Sequence, residues 1–148
     1  RAIDAVLALA PQRLSDVVNR LEAVRNFTAL PESDALAAAN KRISNILKKA
    51  NSSDIAATVS PALFSEPAES ALANAIAAVK PIVETQLGSG DYTAALKALA
   101  ALRDPVDEFF DGVMVNADEQ QIRANRLALL SELHGIMNRV ADLSRLAT

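Results

Sequence analysis

Cysteine and tryptophan are absent from this chain, and histidine occurs once, at position 134. Without cysteine there is neither a disulfide nor a thiolate metal site, and a reducing compartment is permitted but not required. One histidine without cysteine also leaves zinc short of ligands. Aromatic residues make up 3% of the chain, so surfaces for stacking bases are scarce. β-Branched runs are short, and no apolar run approaches the ~20 residues of a membrane span. The opening residues "RAIDAVLALAPQ" lack a basic segment and a clear cleavage site, so they do not read as a secretory leader. The address these absences leave is cytoplasmic.

Alanine and leucine dominate the apolar half of the chain. Both are strong helix formers because they lose little rotamer freedom in a helix. The expected class is all-α. A length of 148 residues fits one domain with its own core. Net charge is −3, which calls for no polyanionic partner overall, although a local basic patch still steers one. The pattern Ile3, Val6, Leu7 opens beside Arg1 with no capping residue ahead of it, the mark of a helix continued from a longer chain. Residues 1–13 are expected as a linking helix and turn, the rest as a compact antiparallel bundle of about six or seven helices.

Apolar residues at Leu14, Val17, Val18, Leu21 and Val24 share one helical face across 14–27. Leu30-Pro31 breaks that helix, and Ser33 or Asp34 is placed to cap the next, which runs to about Ala50. Asn51–Asp54 is a polar turn, and Pro61 and Pro67 allow only short helical turns between them. Leu72, Ile76, Val79, Val83 and Leu87 mark a long helix with Pro81 inside it, where a kink is expected. Gly88–Asp91 supplies a stop and then an N-cap for a helix over 92–102. Asp104-Pro105 reads as a cap followed by a first helical residue. A final helix is expected from Asp118 through Leu143.

Charge is segregated along the chain. Every charged residue between Lys41 and Lys49 is basic, and every one from Asp104 to Glu119 is acidic. In "NKRISNILKK", Lys41, Arg42, Asn45, Lys48 and Lys49 form a stripe away from Ile43, Ile46 and Leu47. Such a stripe suits a phosphate backbone, with Asn45 able to meet a base edge or a 2′-hydroxyl. The plain alternative is a solvated face whose cations suit the end of a helix dipole. In "DEFFDGVMV", Asp107, Glu108 and Asp111 lie apart from Phe109 and Phe110, which are expected in the core with Val106 and Val113. Two carboxylates one turn apart are a weak cation signal, and acids in a first turn suit the dipole without any ligand.

No catalytic centre emerges. His134 has only Ser131 one turn earlier, without an orienting partner. "GSGD" lacks the length, lysine and preceding strand of a phosphate loop. Arg123 and Arg126 are expected to pair with Glu119 or with acids of the preceding helix, a structural role favoured over contact with RNA.

Taken together, "ALAAANKRISNILKKA", "ALRDPVDEFFDGVMVNADEQQIRANRLALL" and the closing "VADLSRL" resemble the C-terminal region of the bacterial glycyl-tRNA synthetase β subunit. "EPAESAL" and "DYTAALKALAAL" fit the same region in the same order, so the resemblance runs from about Leu14 to the end. It implies a DALR-type anticodon-binding domain, all-helical and related to the C-terminal domain of arginyl-tRNA synthetase. The implied partners are glycine tRNA, the synthetase α subunit and the remainder of the β subunit, with no DNA or membrane partner. ATP and Mg²⁺ belong to the whole ligase, and no cofactor or catalytic residue to this region. The resemblance favours RNA contact by Lys41, Arg42, Asn45, Lys48 and Lys49, with Arg20 and Arg25 on the neighbouring helix as further candidates. A docking module that presents the Asp104–Glu119 acids to other synthetase parts is the alternative.

Overall fold

A computed structural model describes residues 2–8 and 14–147. Among them the helices are α1 (Ala2–Leu7), α2 (Leu14–Thr28), α3 (Ser33–Lys49), α4 (Pro67–Gly88), α5 (Tyr92–Ala98), α6 (Arg103–Gly112) and α7 (Gln120–Met137). Short 3₁₀ turns at Ser52–Asp54, Pro61–Leu63, Leu99–Leu102 and Leu143–Leu146 complete the regular structure, and the described residues contain no strand.

The core is built where the helical periodicity places it. Phe27 of α2, Leu36 and Ile43 of α3, Leu72 and Ile76 of α4, Leu96, Phe109 and Leu130 are all essentially without solvent access. α2 packs on α5, α4 on α5 and α6, and α3 on both α7 and the closing 3₁₀ turn. α3 is therefore clasped from behind by the C-terminal third of the chain, and its remaining face looks outward. α1 contributes Ala5 and Val6 to the core, and the Asp142 N–H donates to the Ala5 carbonyl at 2.9 Å. Of the linking helix and turn expected over 1–13, residues 1 and 9–13 lie outside the described residues.

Several boundaries differ from the sequence expectation, each for a local reason. Asp91 caps α5 as expected, accepting from the Ala94 N–H at 3.0 Å. Asp104 is not a cap, however. No breaker interrupts "ALKALAALR", so the chain stays helical through Leu99–Leu102 and α6 begins at Arg103, with Pro105 in its first turn. Ser33 is a first helical residue whose hydroxyl donates to the Thr28 carbonyl at 3.2 Å. α4 is helical throughout, with Pro81 on its exposed side.

α7 begins at Gln120 and stops at Met137, short of Leu143. Asn138 ends it: its amide nitrogen donates to the His134 carbonyl at 2.7 Å, and its amide oxygen accepts from the Leu143 N–H at 3.0 Å. Val140 and Leu143 still reach the core, but from a bend and a 3₁₀ turn. Apolar spacing alone does not distinguish that route from a continuing helix.

Candidate nucleic-acid interface

Residues 33–49 alternate burial with a helical period. Leu36, Ala37, Ala39, Asn40 and Ile43 are buried, while Lys41, Arg42, Asn45, Lys48 and Lys49 are exposed. The inner face is fixed by polar as well as apolar contacts. Asn40, fully buried, exchanges two side-chain hydrogen bonds with Asn138, at 2.8 and 2.9 Å. One turn further on, the Ser44 hydroxyl meets His134 Nε2 at 2.9 Å. Burial lowers the His134 pKa, the nearby Lys48 charge lowers it further, and Asp142 opposes them. A neutral imidazole is thus favoured behind the basic face.

None of Lys41, Arg42, Lys48 and Lys49 forms an ion pair among the described residues. Arg42 lies over the Phe110 ring, its Cζ 4.2 Å from the centroid. Phe110 is consequently half-buried, not a core residue like Phe109; the two rings meet edge to face at 5.7 Å. The sequence pattern alone places both phenylalanines inside. The outer surface of Phe110 instead serves as a seat for a guanidinium, a cation–π contact that constrains a long side chain.

Shallow grooves flank the ridge of Arg42, Ile46 and Lys49. One, of about 390 Å³, is completed by Ala38, Lys41, Asn45 and Ala147. The other, of about 570 Å³, is closed by Asp54, the strap Val113–Asn116, and Arg123 and Leu127 of α7. Met114 in that strap is 70% exposed. Nothing in "GVMVNAD" marks it as a wall beside α3, because the partners are some 65–75 positions away in the chain.

The structure does not bring Arg20 to this surface. Its Nε pairs with Asp16 at 2.9 Å, its Nη1 donates to the Arg139 and Val140 carbonyls at 3.0 and 2.7 Å, and its guanidinium lies 4.6 Å from the centre of the Tyr92 ring. The Tyr92 hydroxyl hydrogen-bonds Asp16, which together with burial pushes its pKa up. Arg20 therefore fastens the C-terminal bend onto α2. Arg25 is exposed near the end of α2, on a separate helix.

The arginines of "RANRLALL" serve the scaffold, with partners other than those expected. Arg123 donates to the Ala117 carbonyl at 3.0 Å. Arg126, buried, donates to Glu69 at 3.0 Å, to the Ser65 hydroxyl at 3.0 Å and to the Met114 carbonyl. Asn125 takes both backbone groups of Ser60, at 2.7 and 3.0 Å. Burial alone raises the Glu69 pKa. Hydrogen bonds from Arg126 and from the Ser65 and Glu66 N–H groups outweigh it and hold the carboxyl below its ordinary value. A glutamate 57 positions from its arginine leaves no local signal.

The acids of α6 and the following loop, Asp104, Asp107, Glu108, Asp111, Asp118 and Glu119, are exposed. Asp107 pairs with Arg103 at 3.7 Å. No group of three or more potential metal ligands occurs among the described residues, and no helix there is long and apolar enough to cross a membrane.

Against known proteins, the model of the DALR anticodon binding domain family matches residues 36–143. Over 145 residues, 98% of the chain, the sequence is 59% identical to the glycine–tRNA ligase beta subunit of Methylobacillus flagellatus. It is 61% identical over the same share to those of Janthinobacterium sp. and Leptothrix cholodnii. The chain spans only about a fifth of the length of these relatives, 20%, 21% and 20%.

Proposed function

Because the chain belongs to the DALR anticodon-binding domain family, we propose that the outer face of α3 holds the anticodon stem and loop of a tRNA. The tRNA is the glycine-specific one, and the larger assembly is a glycine–tRNA ligase in which this region is part of the β subunit. The observation that carries the reading is the set of four cations and Asn45 on two exposed turns of α3, none of the cations in an ion pair among the described residues. Phosphates meeting such a face release counterions, which supplies affinity and sets register. Lys41, Lys48 and Lys49 act as mobile point charges. Arg42, held on Phe110, offers a fixed plane. Arg20 is not included in this surface, since its Nε and Nη1 groups bond Asp16 and the Arg139 and Val140 carbonyls inside the fold. Arg25 is kept as a peripheral contact.

Aminoacylation, with its ATP and Mg²⁺, is assigned to other parts of the assembled enzyme, and the address is cytoplasmic. The test is a titration with glycine tRNA and with the same transcript carrying a changed anticodon, at two salt concentrations. Lys48→Ala should weaken binding of both and reduce the salt slope by about 0.7–0.9, with helicity unchanged. An affinity untouched at low salt would remove the face from the site. A docking role keeps one observation in its favour: five of the six acids from Asp104 to Glu119 stand exposed without an ion pair among the described residues.

A further inference from the structure

We infer that the 570 Å³ groove beside Arg42 and Lys49 receives one unpaired nucleobase that carries an exocyclic amino group, read by Asp54. The inference rests on the proposal that α3 holds tRNA, and adds to it a site with its own chemistry. The volume lies within the ~300–1,000 Å³ of small-ligand pockets, enough for a nucleoside and small for a protein domain. Its walls are of two kinds. Ile46, Val115, Leu127 and the exposed thioether of Met114 offer apolar and polarizable surface to a ring face. Arg42, Lys49 and Arg123 supply positive charge to the same groove, in continuity with the basic face, where the phosphates flanking a turned-out base are held.

The remaining carboxylate is what sets the specificity. Asp54 stands in the 3₁₀ turn Ser52–Asp54 and makes no side-chain hydrogen bond or ion pair with the described residues, although three cations share its groove. A carboxylate adds nothing to phosphate holding. It is an acceptor only, and so complements an amino group. Cytosine, adenine and guanine present one on their pairing edge. Uracil presents a single N–H between two carbonyl oxygens, which a carboxylate repels. The Asn116 amide, with a donor and an acceptor, completes the edge contact.

Hydrogen bonds tie the wall to the rest of the fold. The strap is tied by Arg126 to the Met114 carbonyl and by Arg123 to the Ala117 carbonyl, and Arg126 is itself anchored on Glu69. The Ala56 N–H donates to the Ala124 carbonyl at 3.1 Å, which fixes the turn bearing Asp54 against α7. Arg126 and Glu69 are positioning residues for this pocket.

The experiment uses the full-length protein and glycine tRNA transcripts in which each anticodon-loop nucleotide carrying an amino group is replaced in turn by uracil. Wild type, Asp54→Asn, Met114→Ala and Lys48→Ala are compared. Wild type should lose roughly 5- to 100-fold in affinity at one loop position on losing the amino group, the range for a well-placed base contact. Asp54→Asn should erase that discrimination and leave the salt slope as it was. Met114→Ala, at an exposed site where folding is not at stake, should weaken wild-type tRNA most and the uracil-substituted transcript least. Lys48→Ala should weaken every transcript alike. If Asp54→Asn preserves the discrimination while Lys48→Ala still weakens binding, the pocket assignment is overturned and the α3 reading stands. If Lys48→Ala is silent as well, both fall. If Asp54→Asn and Met114→Ala instead impair assembly of the ligase with tRNA affinity unchanged, the groove takes a protein side chain and the inference fails.

Discussion

Glu69 and Arg126 meet at 3.0 Å with side chains 0% and 7% exposed. A buried pair of this kind is weak support for stability but expensive to break from one side, because the surviving charge is left without a partner. Glu69→Gln is expected to destabilise the chain by about 3–5 kcal/mol in urea denaturation, while an apolar replacement of both residues should lose much less. The same carboxyl makes stability depend on pH. With its folded pKa below the ordinary 4.5, the unfolded chain binds the proton first as pH falls. The contribution is therefore complete above 4.5 and is lost progressively below it. His134 acts in a higher window. Its folded pKa lies below 6.5, so stability declines as pH drops through 6.5 and the unfolded imidazole charges first. Denaturation midpoints measured from pH 7 down to 5 should fall in wild type and fall less in His134→Gln, which has no imidazole to charge.

At the scale of elements, sequence patterning carried most of the fold. Alanine and leucine composition, period 3.6 and the breakers at Pro31 and Gly88–Asp91 gave α2 through α5 to within a few residues. What it missed depends on contacts distant in sequence. Asn138 ends α7 through side-chain bonds that are completed by Asn40, 98 positions earlier, and no window around Asn138 contains that partner. Glycine shows the opposite situation, in which the local rule suffices. Gly135 lies inside α7, exposed, and a Cβ built there meets nothing within 4 Å. Gly135→Ala should therefore stabilise α7 by about 0.5–1 kcal/mol, chiefly by narrowing the unfolded ensemble. Gly90 has equal space but φ of +77°, a conformation that alanine adopts only with strain, so Gly90→Ala should lower the thermal midpoint that Gly135→Ala raises.

Across the whole molecule, the segregation of charge visible in the sequence becomes two adjoining surfaces. The basic stripe was legible because a helix displays its own periodicity. The groove beside it was not, since it joins α3, Asp54, the strap and α7. Arg42 stands at the junction: Asp107, Phe110 and Asp111 of α6 share another depression with it. With tRNA on α3 as proposed, a cation so placed would be drawn toward RNA on one side and toward carboxylates on the other, without a close ion pair to settle it. The acids would then bear on recognition without touching a nucleotide. On that reading they would confine the attractive field to α3, since like charges suppress wrong registers more than they weaken the right one. Reversing Asp107 and Glu108 to lysine should extend the field across the junction. Association with tRNA should quicken by about tenfold at low salt, and the gain should fade as the Debye length contracts toward about 8 Å at 0.15 M ionic strength. Binding to a transcript with a changed anticodon should rise at least as much as binding to the native one, so selectivity drops while affinity climbs. Stopped-flow association at two ionic strengths measures both. A slower or unchanged association, accompanied by dissociation of the assembled ligase in sedimentation, would assign these acids to subunit docking instead.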